Sequence, residues 1–119
     1  MSEMKESDLV TSSRLEGTGI VAAITGEIDL HNSPEFREVL LDSIARLRPS
    51  KLILNLAQVP YMDSSGLAVL VESMQKLRKI GGKIFLTDLQ PRVRGVLEIA
   101  KLDTVFVLVK DEQEAISRQ

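Results

Sequence analysis

Apolar positions along this chain follow two periods. Ile20 to Thr25 and Lys51 to Leu56 are short runs of aliphatic and β-branched residues, apolar at consecutive positions as in a strand covered on both faces. Phe36, Val39, Leu40, Ile44 and Leu47, and later Leu67, Leu70, Val71, Met74 and Leu77, instead recur at helical spacing, with charged residues on the remaining arc. The order is strand, strand, helix, then strand and helix in alternation. That pattern predicts an α/β domain built on a mixed, largely parallel sheet with right-handed crossovers and a layer of helices covering it.

Local signals set the boundaries. Leu9 to Leu15 is a weaker strand, and Gly17-Thr18-Gly19 supplies the turn of a hairpin with Ile20 to Thr25. Ser33 followed by Pro34 reads as a cap and a first helical residue, and Pro49 ends that helix. Lys51 to Leu56 is the best strand and should be central. Gly81-Gly82 stops the second helix. Lys83 to Thr87 is an interior strand, and Pro91 opens a shorter helix with Val93, Val96, Leu97 and Ala100 facing inward. Thr104 to Val109 reads as a last strand; Asp111 with Glu114 forms an Asp variant of the capping box for a helix running to the terminus. Residues 1–8 are polar without periodicity and predict a flexible tail, leaving 9–119 as one domain.

Composition narrows the function. A chain of 119 residues fits a single core, and without cysteine and with one histidine, His31, neither disulfides nor a thiolate or zinc site is available. The net charge of −2, dispersed basic residues, and a single Tyr with three Phe and no Trp lack the footprint of a nucleic-acid binder. No apolar stretch approaches the roughly 20 residues that span a bilayer, and Met1 to Asp8 is unlike a signal peptide. The expectation is a soluble cytoplasmic protein with no membrane contact and no direct nucleic-acid binding.

Enzyme signatures fail on inspection. Gly17 to Ala22 loosely matches a dinucleotide fingerprint but leads into a strand where a helix is required. Ser64 or Ser65 with His31 and Asp29 offers the residue types of a hydrolase triad, yet neither serine is flanked by the glycines of a nucleophile elbow. A Gly-rich phosphate loop ending in Lys-Ser or Lys-Thr is also missing, so NTPase activity is not expected. What remains is Tyr61-Met62-Asp63-Ser64-Ser65-Gly66, a strand-to-helix turn. Two hydroxyls there sit where backbone N–H groups lack partners and the helix dipole favours negative charge, so the turn is either an ordinary N-cap or a place that receives a phosphate.

Gly26-Glu27-Ile28-Asp29, Leu54-Asn55-Leu56, Met62-Asp63-Ser64-Ser65-Gly66-Leu67 and Gly81-Gly82, in this order, resemble the successive motifs of the STAS domain family, specifically its anti-sigma factor antagonists. The resemblance implies a sheet of four or five strands flanked by about four helices, with the strand-to-helix turns at one edge, bringing Asp29 near Ser64. It implies a phosphoacceptor at Ser64, the serine directly after the Asp, with Asp29, Met62, Asp63, Ser65 and Gly66 as partner-binding residues. The implied partner of the unphosphorylated form is an anti-sigma factor with serine kinase activity, whose capture frees a sigma factor; a serine phosphatase resets the cycle. ATP belongs to the kinase, so no cofactor is implied for this chain and no enzymatic activity. Two alternatives keep the same fold without a phosphoswitch: a STAS subunit docked on an ABC transporter, and a signalling scaffold.

Overall fold

The computed structural model describes Met4, Lys5 and residues 7–118. Five strands form one sheet in the order β1-β2-β3-β4-β5: β1 (Val10–Glu16), β2 (Gly19–Thr25), β3 (Lys51–Gln58), β4 (Lys83–Thr87) and β5 (Val107–Val109). The hairpin partner β1 is antiparallel to β2, closing with Glu16 opposite Gly19 across a turn in which Gly17 takes φ 60°; every later pairing is parallel. β3 lies at the centre, as its unbroken apolar run predicts.

Helices α1 (Ser33–Leu47), α2 (Ser64–Lys79) and α3 (Pro91–Ile99) follow β2, β3 and β4 in turn. Ile20, Ala22, Ile24, Leu52, Leu54, Leu56, Ile84 and Leu86 face their apolar sides, which supply Phe36, Leu40, Leu70, Leu77, Val93 and Leu97 to one core. The alternation predicts a single helical layer, but Val21, Ile53 and Phe85 point the other way and are covered by Ala115 and Ile116 of α4 (Glu112–Ser117). Strands apolar at consecutive positions need cover on both faces, and this short helix provides it.

Other boundaries shift for local reasons. The N-cap of α1 is Asn32, not Ser33, which is the first helical residue and is buried. β5 is confined to Val107–Val109 because Leu102 to Val105 are spent turning the chain back from α3: Lys101 adopts φ 61° and the Val105 N–H donates to Leu102 O at 3.0 Å. Ala100 is the C-cap of α3 and lies exposed, while Val93 and Leu97 carry the buried face. α4 ends at Ser117 with Arg118 extended. In its capping box Asp111 accepts from the Glu114 N–H at 2.9 Å, but the Glu114 carboxylate reaches back one residue further than the motif requires, to the Lys110 N–H.

The segment expected to be a flexible tail falls partly outside the described residues. Within them, Met4 is 6 % exposed and joins the main core, and Lys5 pairs with Glu38 on α1 at 2.5 Å. An apolar side chain isolated among charges leaves no periodic trace to announce this.

Candidate functional site

The site is built where the β2–α1 and β3–α2 loops meet at one end of the sheet. Beyond the strands the backbone continues to pair: Gly26 N–H donates to Gln58 O at 2.9 Å, Ile28 N–H to Tyr61 O at 3.0 Å, and Asp63 N–H to Ile28 O at 3.0 Å. Ile28 and Met62 thus form an isolated parallel bridge, both side chains fully buried. The two loops are held as one surface.

Asp63 fastens that surface. As the N-cap of α2, its Oδ1 accepts from the Ser65 N–H at 2.9 Å, the Ser65 hydroxyl at 2.6 Å and the Gly66 N–H at 3.3 Å; Oδ2 accepts from the Leu30 N–H at 3.1 Å. The Ser65 hydroxyl bond holds this carboxylate below its ordinary value of 3.8, assisted by the N–H groups of Gly66, Ser65 and Leu30 against a desolvation that acts upward.

Asp29 does similar work one loop away. Its Oδ1 accepts from the N–H groups of His31 at 2.9 Å and Asn32 at 3.2 Å, and its carbonyl takes the Ser33 N–H at 2.8 Å. Asn32 replies with Oδ1 to the Asp29 N–H and Nδ2 to Glu27 O. Asp29 is therefore a partly buried turn residue that folds the entry to α1, beside the Ser64 turn as the topology predicts.

The two serines differ. Ser65 is partly buried and bonded to Asp63, whereas Ser64 is exposed and its hydroxyl has no side-chain bond among the described residues. Ser64 is also the first residue of α2, whose first turn carries no acidic side chain.

Met62 and Gly66, which the resemblance names as partner-binding residues, are both buried beneath the loops. Met62 is 0 % exposed, and a Cβ on Gly66 would stand 2.4 Å from Met62 Cγ and 2.8 Å from Ile28 Cγ2. Only glycine lets the first turn of α2 close down on the two loops. Of the six residues named from the sequence, Asp29, Asp63, Ser64 and Ser65 reach the surface.

Two neighbours escaped the sequence reading. Leu30 is 77 % exposed next to the Asp63 carboxylate; its signal was a lone Leu in a polar loop, outside the apolar arc of α1. Arg92, at the start of α3, stacks its guanidinium over the Tyr61 ring 4.7 Å from the centroid, and its signal was a cation where a helix favours an acid. Among the described residues no three of His, Asp and Glu converge as metal ligands, and no helix is long and apolar enough to cross a membrane.

The STAS domain pattern matches residues 10–115, nearly the whole chain. The chain belongs to the STAS domain family. This STAS domain is 34 % identical over 90 residues to the anti-sigma-B factor antagonist of Bacillus subtilis, covering 75 % of this chain and 81 % of that one. It is 26 % identical over 98 residues to the anti-sigma F factor antagonist of Paenibacillus polymyxa, covering 82 % and 84 %. Among solved structures, the anti-sigma factor antagonist SpoIIAA in its unphosphorylated form superposes with a TM-score of 0.77 at 26 % identity, over 90 % of this chain and 93 % of that one. Its phosphorylated form, from Bacillus, gives 0.66 over 90 % and 98 %. The STAS fold accounts for the bridged loops, since β2 and β3 are adjacent and parallel and must release their helices at the same edge.

Proposed function

We propose that this STAS domain is an anti-sigma factor antagonist: the unmodified protein binds an anti-sigma factor that is also a serine kinase, and phosphorylation of Ser64 switches the binding off. The observation that carries the reading is the contrast at the α2 N-terminus, where the Ser64 hydroxyl is exposed and unengaged while its neighbour is tied to Asp63. A kinase needs the first and cannot easily use the second. A phosphate on Ser64 would sit at the positive dipole end of α2, so the modified domain stays folded.

The binding surface comprises the exposed side chains around that hydroxyl, above all Leu30, with Asp29, Asp63 and Ser65 fixing the loops beneath it. Leu30 supplies an apolar anchor, and full burial of a leucine is worth about 1.5–3 kcal/mol. A phosphate dianion within the same footprint would be trapped against the partner as water leaves, where its charge is costly. A serine phosphatase acting on phosphorylated Ser64 restores binding, and the domain itself performs no catalysis.

The test is direct. Incubation with each serine kinase of the anti-sigma type from the same genome, with ATP, should place one phosphate on Ser64, mapped by mass spectrometry. Modification of Ser65 with Ser64 untouched would overturn the assignment. No incorporation with any such kinase would instead support a STAS subunit that docks without a phosphoswitch, on a transporter or a signalling scaffold.

A further inference from the structure

The opposite ends of the same helices hold a second feature. α1 and α2 run side by side, stapled where Arg37 Nε and Nη2 donate to Glu72 Oε1 and Oε2, each at 2.7 Å. One turn further along each helix, beyond this staple, a pocket of about 340 Å³ opens between their last turns. Its walls are the apolar side chains of Leu41, Ile44 and Ile80, and its rim carries Arg48, Lys76 and Lys79.

Cations at helix C-termini ordinarily answer the dipole. That explanation covers Arg46, which pairs with Asp42 within α1, and Arg78 in the last turn of α2. Lys76 and Lys79 lie in that last turn as well and answer the same dipole; the pocket adds that they and Arg48 surround an apolar hollow. Arg48 and Lys79 have no ion pair among the described residues, and Glu72, whose carboxylate also feels the Lys76 charge, is bonded to Arg37. Arg48 is moreover the C-cap of α1 with φ 43°, a left-handed conformation in which glycine is the usual residue. An arginine stands there against its steric preference, and it lines the pocket.

We propose that this pocket binds a free amphiphile with one short acyl chain and one anionic headgroup, of the kind represented by a medium-chain fatty acid. The chain takes the apolar walls and the carboxylate takes the ring of Arg48, Lys76 and Lys79, matching charge to charge. The Arg37–Glu72 ion pair bridges the two helices one turn before the pocket. The site is remote in sequence from the Ser64 turn and stands whether or not Ser64 is phosphorylated.

Decanoate, decanol and acetate, each kept below its aggregation threshold, are titrated into the full chain while the methyl resonances of Leu41, Ile44 and Ile80 are followed by NMR. The expected result is saturable shifts of these methyls with decanoate, at least tenfold weaker binding of decanol, and no shift with acetate. Arg48→Gly should fold at least as well as the parent, because it relieves the left-handed residue, yet bind decanoate at least fivefold more weakly. Ala45→Trp, at an exposed position lining the pocket, should block binding while leaving the fold intact. Equal affinity for decanol and decanoate, or unsaturable shifts, overturns the proposal. Binding to anionic phospholipid vesicles without binding of monomeric decanoate also overturns it and makes the cluster a membrane-facing patch.

Discussion

The Leu30 N–H donates to Asp63 Oδ2 at 3.1 Å while Asp63 Oδ1 caps α2, so a single carboxylate couples the start of a helix to a loop more than thirty residues earlier. Asp63 therefore fixes the turn that carries both the serine proposed to be modified and the apolar side chain proposed to meet the partner. Removing it as Asp63→Ala should lower the thermal midpoint by several degrees at neutral pH. Because the folded-state value of this carboxylate is depressed, its stabilisation is present above the ordinary value of 3.8 and lost as pH falls through the folded value. The gap between parent and variant should therefore hold above pH 3.8 and narrow as the pH falls below it, as followed by circular dichroism melts. A gap that persists unchanged in acid would show that the cap is not electrostatic.

Leu30→Ala should leave the melting temperature unchanged, since the side chain is 77 % exposed and its backbone bond to Asp63 does not depend on it. Affinity for the anti-sigma factor should fall by roughly ten- to a hundredfold, the equivalent of about 1.5–3 kcal/mol of lost leucine burial. Titration calorimetry against the unmodified parent reads this directly, and equal affinities would remove Leu30 from the interface.

Asp29→Ala should behave differently from an ordinary exposed-loop change. The carboxylate holds two N–H groups at the entry to α1, so its removal should cost about 1 kcal/mol in urea denaturation, while Asp29→Asn retains most of the stability. A partner defect in Asp29→Ala but not in Asp29→Asn would then report loop geometry. A defect in both at full stability would report direct contact.

Much of this architecture is legible in the order of residues alone. Four of the five strands are specified to within two residues, β2 to β4 because a buried strand is largely apolar and β1 because the Gly17-Thr18-Gly19 turn pairs it with β2. β5 is shorter than its composition predicts: Thr104 to Phe106 have strand character, but the connection from α3 consumes them, and tertiary geometry outweighs propensity. Met62 shows a different limit. A motif places a residue in sequence, whereas burial depends on its partner across the sheet, here Ile28, which only the topology supplies. Leu30 is missed for a third reason: a lone leucine in a polar loop marks itself as outside the helical arc, but its exposure depends on the fold.

Ser73 tests packing apart from function. Its hydroxyl on α2 is fully buried with no partner among the described residues, in a helix face otherwise apolar. Ser73→Ala should stabilise the protein by about 1 kcal/mol, since the unpaired hydroxyl is removed with little change of volume. Gly66→Ala should do the reverse, costing about 1–3 kcal/mol as the new methyl is forced against Met62 and Ile28. Combining it with Met62→Ala should cost less than the sum of the two single changes, as denaturant melts would show, because the new methyl then enters space that the truncated Met62 leaves.

The switch itself follows from the same turn. Ser64→Ala should leave stability within about 0.5 kcal/mol of the parent, because Asp63 and not Ser64 caps the helix. It should bind the anti-sigma factor constitutively and resist the kinase. A phosphate dianion about 6 Å from a carboxylate is repelled by roughly 1.4 kcal/mol in water and roughly 5.5 kcal/mol at an effective dielectric of 20, so the penalty grows as the interface closes and expels solvent. Even about 3 kcal/mol would weaken binding more than a hundredfold. Ser64→Asp carries one charge where phosphate carries nearly two, and its loss should be smaller. Added salt should narrow these differences only slightly, because the charges are enclosed when they matter. Calorimetric titration of the phosphorylated and unmodified proteins decides the point: affinities within twofold of each other would make Ser64 an ordinary helix residue with no control over the partner.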